Sequence, residues 1–230
     1  LIGVMSEPNL AQVLLSRLAV QGISQTDQPT APGDRILPFH DGQAFVTLVL
    51  EGAVARQGRD SLCLGLAGPG DLLNFDAAVG GEANEDGLWL TAGRKITIPA
   101  DRLIEMIDRP TLVDTALADL RGRMDAAHAE VKRQARGRVT ERLAALLLDI
   151  HGLSQAMEIS LRQSDIADLL AVRRAGISTA GGELQAAGAI RVGRAAIRLC
   201  DVDALGTVAV GAVRERASHS TVTDLARLRG

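Results

Sequence analysis

Short apolar stretches recur between residues 34 and 100: ILPF, AFVTLVLEGAV, SLCLGLA, DLLNF, GLWLTA and KITIP. Turn signals separate them at Asp41-Gly42, Gly68-Pro69-Gly70-Asp71 and Gly80-Gly81. Short strands at this spacing predict an antiparallel sandwich or barrel, not alternating strands and helices. Upstream, PNLAQVLLSRLAV (8–20) has helical period, with Pro8 near its start and Gly22 after its end. Pro99 closes the last strand, and ADRLIEMID (100–108) predicts a short helix.

Beyond Pro110 the period becomes helical and stays so. Val113, Leu117, Leu120, Met124, Ala127, Val131 and Gln134 alternate steps of four and three residues, with charge on the other faces. That is a heptad seam. Two readings follow from it: a coiled-coil dimer, or a helix laying this row on its own domain. Gly137 interrupts, and RVTERLAALLLDIHG (138–152) predicts a further helix with Leu143, Leu146, Leu147 and Ile150 on its apolar face. Two helices are expected at 164–170 and 173–187. GAIRVGRAAIRLCD (188–201) alternates apolar and polar around Gly193-Arg194, the pattern of a β-hairpin. From residue 207 only a weak helical pattern continues.

The most informative segment is QSDIADLLAVRRAGISTAGG (163–182). Two helices crossing about a tight turn need apolar residues at fixed points and a small residue where they touch. Ile166, Leu170, Val172, Ile177 and Ala180 take the apolar points, and Ala167 the small one. Ala171 stands at the turn, where a positive φ favours glycine. The second helix would present Arg173, Arg174, Ala175, Ser178 and Thr179 outward from its first turns. A recognition helix offers those positions to base edges, and an arginine there can bond guanine O6 and N7 together. The hairpin adds Arg191, Arg194 and Arg198, placed as a wing against phosphate. The competing structural reading is an ordinary helical hairpin with a solvated arginine cluster.

Charge separates front from back. Residues 1–131 hold 10 basic and 18 acidic residues, whereas residues 132–198 hold 11 basic and 6 acidic ones. An acidic front on a basic back suggests two domains with different partners. The chain is 47% apolar and 23% charged, an ordinary globular composition. No apolar run approaches membrane-spanning length. Leu1 to Asn9 carry no signal-peptide pattern, and the expected compartment is the cytoplasm. Phe39, Phe45, Phe75 and Trp89 are the only aromatics, which argues against base-stacking single-strand modules. With only Cys63 and Cys200, one chain cannot supply a four-cysteine cluster or a disulfide framework. GLAGPGD (65–71) lacks the Lys-Ser/Thr of a phosphate loop, no metal-ligand spacing appears, and no serine sits in a nucleophile elbow. The sequence therefore predicts no catalytic residue, metal or cofactor, and no enzyme.

The whole order of elements resembles the Crp/Fnr superfamily of bacterial transcription regulators. The resemblance covers roughly residues 10–205. Its specific part is LLAVRRAGISTAGGELQAAGAIRVGRAAIRLCDVDAL, which looks like the family's recognition helix, connection and wing. The β-rich front and Gly70-Asp71 are similar in kind. The resemblance implies an α+β fold: an N-terminal antiparallel β-roll (jelly-roll-like), a long dimerisation helix and a C-terminal winged helix-turn-helix. The implied divisions are 1–109, 110–136 and 137–206, with a tail from 207 to 230. By position Arg174 corresponds to the family's guanine-reading arginine. Ala175 and Thr179 stand where the cyclic-AMP-responsive members carry a glutamate and a second arginine, so a different half-site is expected.

In the roll the chain departs from that family. Asn74 and Phe75 replace the Gly-Glu pair that holds a cyclic nucleotide's ribose. Glu85 and Asp86 fall where an Arg-Ser pair should hold its phosphate, and carboxylates at that range repel an anion. The haem-binding members use an axial ligand in the roll, and His40, the only histidine there, reads as a surface residue. The expectation is thus a homodimeric regulator that binds two-fold symmetric double-stranded DNA, with RNA polymerase as a further partner and without cyclic AMP in the usual pose. Expected DNA-facing residues are Arg173, Arg174, Ser178, Thr179, Arg191 and Arg194. The seam runs through Val113, Leu117, Leu120, Met124, Ala127 and Val131. A sensor of another small ligand, and a protein-interaction adaptor that has lost DNA binding, are the alternatives.

Overall fold

The computed structural model describes residues 27–58, 63–82 and 85–209. The helix expected at 8–20 and the tail beyond 209 lie outside the described residues. The chain divides into two compact units: one runs to Ala127 and includes Leu153–Ala156, the other holds His128–Gly152 and continues from Met157.

The first unit is built on two antiparallel sheets. One contains β1 (Gln28–Thr30), β3 (Phe39–His40), β4 (Gln43–Glu51), β7 (Leu72–Leu73) and β9 (Gly93–Pro99). The other runs in the order β2 (Arg35–Ile36), β8 (Asp86–Trp89), β5 (Val54–Gln57) and β6 (Cys63–Ala67). The β4–β9 ladder is the longest, because both sequences alternate β-branched or apolar residues, and Val46 and Leu48 face Ile98 and Ile96. DLLNF was expected to be strand throughout. Only Leu72–Leu73 pairs, and Phe75–Val79 turns instead into a 3-10 helix whose Phe75 and Ala78 are buried. That helix, β4, β9, α1 (Ala100–Met106) and the first turn of α2 (Arg109–Arg136) enclose one core cluster. A second cluster gathers around the fully buried Trp89, with Ile36, Val49, Val54, Ala67 and Leu73.

Helix α2 presents two rows that differ by one residue. Leu112 belongs to the roll's core and Ala116 packs against it. Asp119 and Arg123 continue that row as partly buried groups. The predicted seam is the same row shifted by one: Val113, Leu117, Leu120, Met124 and Val131 are 40–63% exposed, and Ala127 is exposed as well. Among the described residues this row is not packed on the roll. Another row takes that place.

In the second unit, α3 (Val139–Ser154) buries Leu143, Leu147 and Ile150. Glu141 accepts the Arg138 backbone N–H at 2.7 Å, which satisfies a donor at the helix start. Helices α4 (Gln163–Leu169) and α5 (Arg174–Ala186) follow, then β11 (Ile190–Val192) and β12 (Ile197–Leu199). A two-residue strand, β10 (Glu158–Ile159), pairs with β12 and completes a three-stranded sheet in the order β10-β12-β11. Two residues are too few to show a period, so the sequence pattern does not reveal β10. Among the described residues no helix is long and apolar enough to cross a membrane.

Candidate functional site

Helices α4 and α5 form the predicted helix-turn-helix. Ile166, Ala167, Leu170, Ile177 and Ala180 are buried, and Val172 half-buried. Ala171 takes φ 50°, so the turn has the left-handed backbone usually given to glycine. The local bonds explain why alanine is held there. Leu170 N–H reaches Ile166 C=O at 3.0 Å and Val172 N–H reaches Ala167 C=O at 2.9 Å. The Arg142 guanidinium, from α3, donates to the Leu170 carbonyl.

Helix α5 begins at Arg174, one residue later than expected, with Arg173 at its N-cap. Arg173, Arg174, Ala175, Ser178 and Thr179 are exposed. No acidic residue lies in the first turn, so the helix dipole and two arginines give this end one sign of charge. The Thr179 hydroxyl donates to the Ala175 carbonyl at 3.1 Å, and the residue is exposed. The Gln185 side-chain oxygen accepts the Val192 N–H at 2.9 Å and ties α5 to the hairpin. Arg191 and Arg194 are exposed on that hairpin. Arg198, directly across from Arg191, is instead 3.6 Å from Glu158 on β10. That pairing gives Arg198 an acidic partner that Arg191 and Arg194 lack among the described residues, and it depends on the strand the sequence hides.

The roll residues form a different kind of site. Asn74, at φ 58°, is buried. Its amide grips the backbone of Glu85 twice, accepting the N–H at 3.0 Å and donating to the C=O at 2.8 Å. Phe75 lies in the core, and Asp86 is half-buried on β8 opposite Gln57. The Glu85 carboxylate turns inward. One oxygen is 2.9 Å from Arg56 Nη1, on β5, and the other 2.6 Å from Arg123 Nη1, on α2. Arg123 also reaches Asp76 at 3.1 Å and Asp119 at 3.0 Å, and Asp119 stands 4.0 Å from Arg56.

Two arginines thus meet three carboxylates. Burial acts to lower the Arg123 pKa, but Glu85, Asp119 and Asp76 outweigh it and hold the guanidinium above its ordinary value. Burial, assisted by Glu85 and Asp76, lifts Asp119 above the usual carboxylate range against the pull of Arg123 and Arg56. Sequence reasoning found Glu85 but missed Arg56, Asp119 and Arg123. The available signals were a lone arginine inside the apolar strand AVARQ and an i,i+4 acid–base pair beside the seam.

Residues 141–208 match the Crp-like helix-turn-helix domain. No curated protein matches the chain. The chain is similar in structure to TTHA1359, a transcriptional regulator of the CRP/FNR family from Thermus thermophilus, at 24% identity over 80% of this chain and 98% of that one, with a TM-score of 0.63. It is also similar to TTHB099, a CRP-family regulator from the same organism, at 21% identity over 79% and 96%, with a TM-score of 0.62. A third similar structure is FixK2 from Bradyrhizobium japonicum, at 20% identity over 80% and 96%, with a TM-score of 0.57. The chain therefore carries a Crp-like helix-turn-helix domain and has the fold of CRP/FNR-family regulators: antiparallel strands, a long helix and the helix-turn-helix.

Two outcomes are expected. Ala171→Gly removes left-handed strain at an exposed position, partly offset by a freer unfolded chain, and should stabilise by about 0.5–1 kcal/mol in urea denaturation. Asp119 has a raised folded pKa, so its contribution to stability is greatest below its ordinary value and is lost as pH rises through the folded one. Asp119→Asn keeps the neutral form at every pH. Its melting temperature relative to wild type should therefore be higher at pH 7 than at pH 3, read from paired melts across that range.

Proposed function

We propose that this chain is a homodimeric, sequence-specific DNA-binding transcription regulator of the Crp/Fnr type. The observation that carries the reading is the arginine-bearing start of α5 on a Crp-like helix-turn-helix domain, with no acidic residue in its first turn. Arg174 faces guanine, Ser178 offers a hydroxyl and Thr179 a methyl to neighbouring base edges. Arg173, Arg191 and Arg194 serve phosphates and set the register on the duplex. The exposed seam of α2 is the surface for a second copy, which supplies the second reading head for a two-fold symmetric site. Cyclic AMP does not bind in the family's usual pose, because Glu85 stands where the phosphate would be held. The adaptor reading has no comparable observation behind it, since an adaptor has no need of arginines at a recognition-helix start that stand without acidic partners among the described residues.

Base reading and phosphate binding respond differently to mutation. Arg174→Ala should cost about 1–3 kcal/mol at the preferred site and relax one position per half-site. Arg194→Ala should weaken all duplexes alike and lower the salt slope by about one. Titration of the best site and of random duplex at two salt concentrations separates the two. Equal weakening on both DNAs by Arg174→Ala would make Arg174 a phosphate contact. No effect from either change in folded protein would favour the adaptor. Leu120→Asp places two like charges in the dimer seam, where an unpaired buried charge costs several kcal/mol. Light scattering should then give a monomer, and an unchanged dimer at micromolar concentration refutes the seam.

A further inference from the structure

The five charged groups in the roll raise a question of site and ligand. Arg56 is 95% buried, on a strand whose other residues are also buried, and Arg123 is three-quarters buried on the inner row of α2. Two guanidiniums converging on one point inside a domain make an anion site, because a buried cation requires a partner within hydrogen-bond reach. The anion at that point is part of the chain. Glu85 gives one carboxylate oxygen to each arginine, and Asn74 holds its backbone by both polar groups, so the carboxylate is positioned before it binds. We propose that Arg56 and Arg123 form a carboxylate-type anion site that is permanently filled by Glu85, and that this internal ligand sets the rotation of the long helix without any diffusible effector.

The second part follows from the two rows of α2. The inner row is Leu112, Ala116, Asp119 and Arg123; the outer is Val113, Leu117, Leu120 and Met124. Turning the helix by one residue, about 100°, would exchange them. The outer row is the more apolar, so hydrophobic burial alone favours turning it toward the roll. Glu85 opposes this, because only the observed rotation brings Arg123 to it and Asp119 toward Arg56. Separating a buried ion pair is strongly destabilising because it leaves an uncompensated charge out of water, so a rotation that takes Arg123 away from Glu85 is disfavoured. Self-liganding of Arg123 therefore leaves the outer row exposed. The inference stands on the first unit alone and does not depend on the DNA-binding reading.

Emptying the site tests it. Glu85→Ala in the full chain leaves Arg56 and Arg123 facing a vacant carboxylate position. Formate and inorganic phosphate are added at constant ionic strength against chloride, with melting and amide exchange of residues 112–123 as readouts. Glu85→Ala should melt lower than wild type and exchange about tenfold faster along that stretch, and formate should reverse both, raising the melting point by about 3 °C or more. Wild type should not respond to formate, and Glu85→Ala/Arg123→Ala should lose the response. If Glu85→Ala is unfolded in chloride, refolding in formate is the same positive result, and failure to refold counts against the proposal. Glu85→Gln keeps the shape and removes the charge; it should loosen the helix without becoming formate-sensitive. Wild-type behaviour from Glu85→Gln, no formate effect on Glu85→Ala, or an equal effect on wild type would each overturn the proposal.

Discussion

A charge inside a protein must find its opposite, and in this molecule that requirement decides which way the long helix faces. Arg56 projects from a strand buried on both sides, and Glu85 is fixed beside it by Asn74. The Glu85 carboxylate divides its two oxygens between Arg56 and a second arginine on the long helix. Arg123 and Asp119 on α2 complete the set. Sheet, loop and helix are thereby joined through a few polar atoms, and the helix keeps Leu112 and Ala116 inward even though a more apolar row lies one residue away. The exposed heptad seam is a consequence of that arrangement, as well as of the seam's own sequence.

The second unit follows a different logic. Its fold rests on apolar burial, with Leu143, Leu147, Ile150, Ile166, Ile177, Leu184 and Ile197 removed from water. Most of its charged groups stay at the surface, with Glu141 an exception that is buried at the start of α3. Along the outer face of α5 and the hairpin tip, arginines stand without acidic partners among the described residues, except where Arg198 meets Glu158. The same residue type is thus internal glue in the roll and exposed to solvent in the helix-turn-helix. Burial separates the two uses: a solvated guanidinium is available to an external phosphate or base, and a desolvated one has already taken its anion.

The helix-turn-helix was readable because its geometry is local. Twenty consecutive residues contain the apolar positions that mark the crossing, and even Ala171 marked the position where a positive φ is needed. The roll was readable as strand texture but not as pairing. Strands β4 and β9 are neighbours although more than forty residues separate their ends, and β2, β3, β7 and β10 are two residues each, too short for any period to show. The turn of DLLNF into a 3-10 helix follows from Asn74 adopting a left-handed backbone while its side chain holds Glu85, eleven residues downstream.

The sequence by itself determined the class of each part: a β-rich front, a long helix with a heptad row, and a helix-turn-helix with arginines at the start of its second helix. These depend on period, on spacing within a few turns and on charge density, all of which can be counted along the chain. It also gave the expectation that the front does not hold a cyclic nucleotide's phosphate in the familiar manner, since Glu85 and Asp86 have the wrong sign. Only the tertiary structure decided what Glu85 does. Its partners, Arg56 and Arg123, lie 29 and 38 residues away in opposite directions along the chain. An ion pair depends on separation in space, and spacing in sequence carries no record of it until the sheet and the helix have come together.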